Sequence, residues 1–280
     1  MIKPILKKDK PAENLSSYRP ISLTSCLCKV AERMVNDRLY WWLESNKLFD
    51  ANQAGFRAKK RTDDQLFRLS QKIIDGFHRG KNTTAIFVDL QQAYDRVWRK
   101  GLLSKMQKLG IHGNMYQWIK NFLTDRTIQT KINNAMSSKQ VLEEGLPQGS
   151  ALSCTLFLIF INDLPGQLKY EKALYADDLV LWHTHSKVGI SAKLLNEDLK
   201  RLEDYCKEWK LKINCDKTIY TIFTKSHKTA EITVRLEIEG KILEKEENPV
   251  YLGVTLDTTL RNQINKLGEN LPNGLRSSRD

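Results

Sequence analysis

The chain has 280 residues, of which 41% are apolar and 9% aromatic, and this suffices for one hydrophobic core that can be divided between two lobes. Its longest apolar run, Ala151 to Ile161, is too short to span a bilayer. The formal net charge of +12 favours a polyanionic partner, nucleic acid first, although membrane-surface and ribosome-like roles share this composition. The five cysteines are scattered without paired metal-ligand spacing, which indicates reduced thiols inside a cell.

The first part of the chain combines a basic segment with two helices. The first 17 residues are polar and basic, and two prolines disfavour a helix there, so the sequence predicts a surface arm. A helix is predicted from about Cys26 to Lys47, and a second opens with a capping box of Thr62 and Gln65. The adjacent acids Asp63 and Asp64 fall in the first turn of this second helix, where they offset the macrodipole and need no metal.

The middle of the chain alternates strands and helices. Thr84 to Leu90 predicts a strand that ends at Asp89, and residues 93 to 98 predict a helix after it. Two amphipathic helices follow, which we expect to serve in packing. Residues 127 to 142 then predict a hairpin that turns around Asn133 and Asn134, because the polarity of its two arms alternates.

A glycine-containing loop, Gly145 to Ser150, precedes a helix predicted over Ala151 to Leu164 and closed by Pro165 and Gly166. This helix is apolar nearly all round, so we expect it in a core. In the loop, glycines such as Gly149 allow the backbone to approach a ligand, and the Gln148 amide can both donate and accept hydrogen bonds. Gly, Pro and Ser also make ordinary turns, so the loop alone is weak evidence of a site.

Two adjacent carboxylates lie between apolar runs in Ala173 to Trp182, and this predicts a hairpin with acids at its tip. Both flanks are apolar at successive positions, which favours strands buried on both faces. Asp177 and Asp178 are then held close together, and like charges in such a setting need a cation. A site made only of oxygen ligands suits Mg²⁺, and Asp89 is the predicted third ligand.

The last part of the chain predicts a long helix and then a strand over residues 219 to 224. Alternation over residues 232 to 238 predicts a small hairpin that returns through Gly240. A further strand is expected over Val250 to Val254, and periodicity is lost from Asp257 onward.

Three segments in this order resemble the reverse transcriptase of a non-LTR retrotransposon, close to the jockey type: Ala85 to Trp98 (AIFVDLQQAYDRVW), Gly145 to Ser150 (GLPQGS) and Tyr175 to Asp178 (YADD). The resemblance covers about Ile5 to Val254, and the ordered set is far more specific than any single motif. It implies an α+β fold, a right-hand polymerase with fingers and a palm. The antiparallel palm sheet would be backed by helices, and the thumb would be largely missing.

The resemblance also implies a division of the chain. Partial fingers are expected over residues 1 to 84 and a palm over residues 85 to 255, with a fingers-type insertion at about 100 to 145. Residues 256 to 280 would be a truncated start of the thumb or an irregular tail. We expect a fragment or degraded copy of an element, without the endonuclease of full elements, with weak activity and, by resemblance, a nuclear location.

The implied activity is RNA-directed DNA polymerisation, with an RNA template, a DNA primer and a deoxynucleoside triphosphate as partners. Asp89, Asp177 and Asp178 would hold two Mg²⁺ ions, with Mn²⁺ a possible substitute, for nucleotidyl transfer to the primer 3′-hydroxyl. Lys217, in an Asn-x-x-Lys-Thr motif, would lie near the leaving pyrophosphate as an acid or charge stabiliser. A lone lysine is more often simply exposed to solvent.

Further residues match positions that bind substrate in the family. Lys7 and Arg19 correspond to a lysine and the arginine of a Tyr-Arg-Pro-Ile-Ser motif that contact the incoming triphosphate, and Lys8 is an equally good candidate for the lysine. From the residues alone, solvated surface charges are the preferred explanation of these basic residues. Tyr94, five residues beyond Asp89, matches the steric gate whose ring would collide with a ribose 2′-hydroxyl.

The loop with Gln148 and Gly149 would lie against the template base and the nascent pair, and Val250 to Val254 is similar to the primer-grip strand. Two other classes of function stay open. One is a catalytically inactive nucleic-acid-binding remnant of such an element. The other is a template-free nucleotidyl transferase or cyclase, which the segment Pro147 to Gly149 opposes.

Overall fold

The computed structural model describes residues 1 to 7 and 11 to 260, so that Lys8 and most of the predicted tail lie outside the described residues. Its helices are α1 Cys26–Ser45, α2 Thr62–His78, α3 Arg99–Lys108, α4 Gly113–Leu123, α5 Ala151–Ile161, α6 Leu164–Gln167, α7 Val188–Glu208 and α8 His227–Ala230. Its strands are β1 Ile2–Leu6, β2 Tyr18–Ser22, β3 Asn82–Val88, β4 Thr127–Ile128, β5 Lys131–Ile132, β6 Ala135–Met136, β7 Gln140–Val141, β8 Glu171–Tyr175, β9 Asp178–His185, β10 Ile219–Phe223, β11 Glu237–Ile238, β12 Lys241–Ile242, β13 Glu244–Lys245, β14 Val250–Tyr251 and β15 Val254–Thr255. Within this part of the chain, no helix combines the length and the apolar character needed to cross a membrane.

The chain forms two compact units, each assembled from separate stretches of sequence. The first unit comprises Met1–Ala51, Gln92–Asp163 and Lys207–Lys212. The second comprises Asn52–Gln91, Leu164–Cys206 and the described residues from Ile213 onward. These boundaries differ from the predicted division into fingers and palm, which stays a prediction.

The second unit is built on a five-stranded sheet with the order β13-β10-β3-β9-β8. β3 pairs antiparallel with β10 on one side and with β9 on the other, and β9 continues antiparallel into β8. The short β13 is parallel to β10. Successive residues of β3 and β9 are buried, as their apolar runs predict.

Helix α2 backs this sheet and packs against β3, β8 and β9. Its apolar spacing of three and four residues puts Leu69 and Ile73 on one stripe, and both are fully buried in a cluster with Ala85, Val180 and Trp182. Burial of one such side chain stabilises a fold by about 1.5 to 3 kcal/mol. The predicted α+β class, an antiparallel sheet backed by helices, is confirmed.

The start of α2 differs from the predicted capping box. The Arg61 N–H donates to the Asp64 carboxylate at 2.7 Å, so Asp64 makes the capping contact and the predicted pair of Thr62 and Gln65 is wrong. Gln65 is buried and donates its amide N–H groups to main-chain carbonyls outside the helix. A tertiary contact therefore overrides a local pattern, although Asp63 and Asp64 do lie in the first turn as predicted.

In the first unit, β1 and β2 form an antiparallel ladder from Ile2 opposite Ser22 to Leu6 opposite Tyr18. The predicted arm is therefore a paired strand in this segment, although most of its residues are exposed or partly exposed, as a surface position requires. Pro4 lies opposite Pro20 in the ladder, where two residues without N–H groups face each other. Proline excluded a helix correctly, but it did not exclude a strand.

Helix α5 is buried on nearly all sides, as its composition predicts, and packs on α1 and α3. It ends at Ile161, earlier than the predicted Leu164. Asn162 follows it and links two neighbouring backbone groups, donating to the Leu48 carbonyl at 2.8 Å and accepting from the Asp50 N–H at 2.9 Å. The predicted stop at Pro165 and Gly166 is wrong, because both residues lie inside the short α6.

Other predicted elements also differ in detail. Residues 91 to 96 form successive turns in place of the predicted helix. The predicted strand over residues 250 to 254 is a tight hairpin of β14 and β15, since Leu252 and Gly253 have φ angles of 49° and 81°. The predicted hairpin that returns through Gly240 forms, but its strand pairing is limited to β11 with β12, and residues 232 to 236 are not part of a strand. The hairpin around Asn133 and Asn134 is confirmed as two short ladders.

Candidate active site

The β8 and β9 hairpin positions the two adjacent acids. Its ladder runs from Glu171 opposite Trp182 to Tyr175 opposite Asp178, so Ala176 and Asp177 form the turn. Ala176 has a φ of 56°, the left-handed region that two-residue hairpin turns require. Apolar strands therefore present the two carboxylates at the end of the sheet.

The register between β3 and β9 brings in the third acid. The ladder extends to Val88 opposite Leu179, and in an antiparallel pair the next two positions are Asp89 and Asp178. Residues that are remote in sequence therefore meet at one edge of the sheet. This is the juxtaposition that the sequence predicts for Asp89, Asp177 and Asp178.

The three acids repel one another. Partial burial and then the charge of Asp89 raise the pKa of Asp177, against a backbone hydrogen bond that lowers it. The pKa of Asp178 is raised to about 6, first by partial burial and then by the charges of Asp177 and Asp89. Much of the surface of Asp178 is exposed, so solvent screens part of this effect. A bound cation would relieve the repulsion.

The donor set suits a hard divalent cation, because it consists of carboxylate oxygens. Within residues 1 to 7 and 11 to 260, however, no three His, Cys, Asp or Glu side chains are gathered as closely as a bound metal would hold them. The three carboxylates are near enough to affect one another's protonation. Ligation of one ion by all three would need a further approach of their side chains.

The loop that carries Lys217 is fixed to the backbone of Asp89. The Asn214 N–H donates to the Asp89 carbonyl at 2.8 Å, and the Asp89 N–H donates to the Thr218 hydroxyl oxygen at 3.3 Å. Lys217 itself is exposed, and its N–H donates to the Asn214 carbonyl at 3.1 Å. The structure therefore places the lysine's loop beside the end of β3.

Sequence reasoning assigned Tyr251 only to the segment that resembles a primer-grip strand and gave the residue itself no role at the site. Its ring is buried with its centroid 5.5 Å from that of Phe87, and burial followed by the charge of Asp178 raises its pKa. Its hydroxyl has no hydrogen-bond partner in the described part of the chain. The tight turn between β14 and β15 sets this position, and the sequence had predicted one continuous strand there.

The first unit holds the five residues predicted to bind substrate. Arg19 lies on β2 opposite Ile5, and Lys7 follows β1 with its N–H donating to the Ser17 carbonyl at 2.8 Å. At the end of β2, the Ser22 N–H donates to the Gln148 carbonyl at 2.8 Å. The hairpin of β1 and β2 and the predicted loop are therefore neighbours.

A second contact orients Gln148. Its amide nitrogen donates to the two carboxylate oxygens of Asp95 at 3.0 and 3.2 Å. Burial raises the pKa of Asp95, whereas the Gln148 hydrogen bond and the charge of Lys7 lower it. Lys7, Asp95 and Gln148 thus form one electrostatic group, and sequence reasoning had assigned no site role to Asp95.

Tyr94 lies within the turns of residues 91 to 96 and contacts the Gly145 to Ser150 loop. Its ring stacks on Phe157 with centroids 4.5 Å apart, and its carbonyl accepts from the Leu146 N–H at 2.8 Å. The buried Arg99 donates to the Gly145 carbonyl at 2.9 Å. No sequence pattern singled out Arg99, because arginines in a basic chain are usually solvated.

Comparisons with known proteins agree with this arrangement. A family model described as reverse transcriptase (RNA-dependent DNA polymerase) matches residues 5 to 256. The chain is 39% identical over 264 residues to the probable RNA-directed DNA polymerase from transposon BS of Drosophila melanogaster, covering 91% of this chain and 29% of that protein. It is 30% identical over 264 residues to the RNA-directed DNA polymerase from mobile element jockey of the same species, covering 91% and 28%.

A solved structure of telomerase from Candida albicans, in complex with a TWJ fragment of telomeric RNA, aligns with a TM-score of 0.58 at 14% identity. The alignment covers 92% of this chain and 44% of that one. A truncated apo telomerase from Candida tropicalis aligns with a TM-score of 0.58 at 11% identity, covering 87% and 52%. At these identities the likeness shows the fold alone.

The chain belongs to the reverse transcriptase (RNA-dependent DNA polymerase) family. It is a reverse transcriptase domain homologous to the RNA-directed DNA polymerases of mobile elements, which confirms the resemblance to the jockey type. The chain spans less than a third of the length of these relatives. Domains of this family generally use divalent metal ions.

We expect Asp178→Asn to raise the melting temperature of the metal-free chain at about pH 7.5, because it removes one of three mutually repelling charges. Since the pKa of Asp178 is raised in the folded chain, folding is linked to proton uptake there as the pH falls through about 6. The advantage of the variant over wild type should therefore shrink below that pH. Thermal melts in EDTA across this range measure both effects.

Asp63→Asn is the matched control, because it makes the same change in net charge at an exposed acid in the first turn of α2. An increase in melting temperature for Asp178→Asn no larger than for Asp63→Asn would contradict the repulsion.

Proposed function

We propose that this chain carries out RNA-directed DNA synthesis, transferring a nucleotide from a deoxynucleoside triphosphate to a primer 3′-hydroxyl. The observation that carries the proposal is the meeting of Asp89, Asp177 and Asp178 at one sheet edge in a member of the reverse transcriptase family. Such a cluster is costly for a fold that binds no cation. It is what a site for divalent ions bound to a polyanion requires.

In this proposal Asp89, Asp177 and Asp178 hold two Mg²⁺ ions, or Mn²⁺ in their place. When bound, the ions would lower the pKa of the primer 3′-hydroxyl and neutralise negative charge on the triphosphate. The backbone of all three acids is already held. Asp89 follows β3 and contacts the 214 to 218 loop, Asp177 lies in the hairpin turn, and Asp178 pairs with Tyr175 at the start of β9. Ligation therefore orders side chains only, which limits its entropic cost.

Basic and polar residues bind the other groups of the substrates. Lys7 and Arg19 are proposed to contact the triphosphate, supported by their place on one hairpin next to the Gln148 loop. Gln148 and Gly149 are proposed to face the template base and the nascent pair. Gly149 has a φ of 98°, a conformation that favours glycine. Because glycine has no side chain, the backbone there can approach a base closely. Lys217 is proposed to stabilise charge on the leaving pyrophosphate.

The formal charge of +12 supports binding of an RNA template and a DNA primer, since lysines and arginines that neutralise phosphates release counterions. Relatives of the chain are named RNA-directed DNA polymerases, and one structural neighbour is in complex with telomeric RNA. Nucleic acid as the partner follows from the family. The roles of primer and triphosphate belong to the proposal.

Primer extension on an RNA template with Mg²⁺ tests the activity. We expect Asp89→Asn and Asp177→Asn each to lower the rate by about a hundredfold or more, because each removes an anionic metal ligand. Asp63→Asn should retain wild-type activity, since this acid lies at the start of α2. Binding of the RNA–DNA hybrid, measured by fluorescence anisotropy, should survive in all three variants.

Equal extension by wild type and Asp177→Asn would contradict the proposal. Binding without extension by the wild type would favour the inactive remnant. Extension that does not depend on the template would favour a template-free transferase.

Tyr94 offers a test of sugar discrimination. We propose that its ring excludes a ribose 2′-hydroxyl, supported by its position five residues after Asp89 and by the stacking on Phe157 that holds the ring in place. Tyr94→Val should lower the preference for deoxyribonucleotides over ribonucleotides by about tenfold or more, measured as a ratio of kcat/KM values.

Tyr94→Phe is the matched control, because it keeps the ring and removes only the hydroxyl. It should retain the preference of the wild type. An unchanged ratio in Tyr94→Val would rule out the gate.

A further inference from the structure

A short segment of the second unit runs beside the end of β8. The Ala54 N–H donates to the Leu174 carbonyl, and the Leu174 N–H donates to the Asn52 carbonyl, each at 2.9 Å. Gln53 thereby makes a parallel bridge with Leu174. This segment continues the sheet beyond β8 and reaches the turn that carries the carboxylates.

The buried Gln53 side chain binds that turn directly. Its amide oxygen accepts from the Ala176 N–H at 2.9 Å and from the Gly55 N–H at 2.8 Å. Its amide nitrogen donates to the Ala176 carbonyl at 3.1 Å. One side chain therefore binds both backbone polar groups of the residue that precedes Asp177.

Ala176 needs such support. It is a buried non-glycine residue with a φ of 56°, a conformation that L-residues other than glycine seldom adopt. A side chain that holds it must accept one hydrogen bond and donate another, which a carboxamide can do. A glutamate in its ionised form would lose the donor, and a methionine of similar shape would lose both functions.

Gly55 permits the close approach of this segment to the turn. A Cβ added at Gly55 would lie 2.1 Å from the Ala176 nitrogen, so a side chain there would push the two backbones apart. The segment from Gln53 to Gly55 therefore matches the turn that carries the carboxylates in two ways. Gln53 supplies hydrogen bonds to Ala176, and Gly55 leaves room for its backbone.

We infer that Gln53 is a positioning residue, whose amide fixes the backbone of Ala176 and so sets the directions in which Asp177 and Asp178 project. The inference rests on the proposed function, because it takes these two acids as the ligands of divalent ions. Gln53 itself contacts neither metal nor substrate in this account.

Gln65 provides an internal comparison. It is also buried, and its amide nitrogen donates to the carbonyls of Asn52 and Leu174, at 2.8 and 3.0 Å. These contacts link Asn52, next to Gln53, with Leu174, which lies two residues before Ala176. A purely structural role for Gln53 would make the two glutamines equivalent in their effect on the site.

The experiment compares Gln53→Met with Gln65→Met in the full chain. Hydrogen exchange of the Ala176 amide, measured by NMR, should become about tenfold faster in Gln53→Met, the equivalent of one lost hydrogen bond. The Kd for Mn²⁺, measured by electron paramagnetic resonance, should rise by about tenfold in the same variant. Gln65→Met should leave both quantities within about twofold of wild type, even with a similar loss of melting temperature.

Equal effects of the two variants on Mn²⁺ binding would overturn the inference and reduce Gln53 to a packing residue. If Gln53→Met fails to fold, Gln53→Leu and Gln65→Leu replace the pair, because leucine also lacks both the donor and the acceptor, and the same separation between the two variants is expected. A wild-type chain that binds Mn²⁺ with this dependence on Gln53 but extends no primer would overturn the proposed polymerase activity and leave the positioning role supported.

Discussion

Val88 lies opposite Leu179 in the antiparallel ladder of β3 and β9, and this register decides where the acids of the site meet. A slip by one residue would turn every side chain of one strand to the other face of the sheet and carry Asp178 away from Asp89. The slip is costly because both strands are buried along successive residues and α2 packs over them. Core packing of the second unit therefore fixes where the backbones of its three acids lie.

The region around these acids destabilises the fold. Asp177 and Asp178 have raised pKa values, Ala176 has a left-handed backbone, and the buried Tyr251 hydroxyl has no hydrogen-bond partner among the described residues. Local conflicts of this kind cluster at functional sites, where the surrounding structure holds a geometry that the segment alone would not adopt. Here the support includes the Gln53 amide on one side of the turn and the paired strands on the other.

The carboxylate strands could be predicted from the sequence because their signals are local. An apolar run ending in Asp89, and two apolar runs flanking Asp177 and Asp178, predict buried strands with acids at their ends. The antiparallel sheet then follows from the family resemblance. The adjacent acids Asp63 and Asp64 are likewise predicted correctly to lie at the start of a helix.

The features that sequence reasoning missed depend on partners that are distant along the chain. Gln65 would cap its own helix on local grounds, but it binds the Leu174 carbonyl. The contact of Gln53 with the turn at Ala176 joins residues that are distant in sequence, so it is visible only in the folded chain. Residues 2 to 6 form a strand because β2 pairs with them. After Asp89, turns form in place of the predicted helix, and backbone groups of Tyr94 and Val97 accept hydrogen bonds from the 145 to 150 loop. Propensity alone does not contain this information.

Anomalous X-ray diffraction from crystals grown with Mn²⁺ and a deoxynucleoside triphosphate is the most direct test that the three acids form a metal site. The account predicts strong anomalous peaks bounded by carboxylate oxygens of Asp89, Asp177 and Asp178. Peaks confined to other parts of the chain, with the Asp89 carboxylate turned away from Asp177, would contradict it.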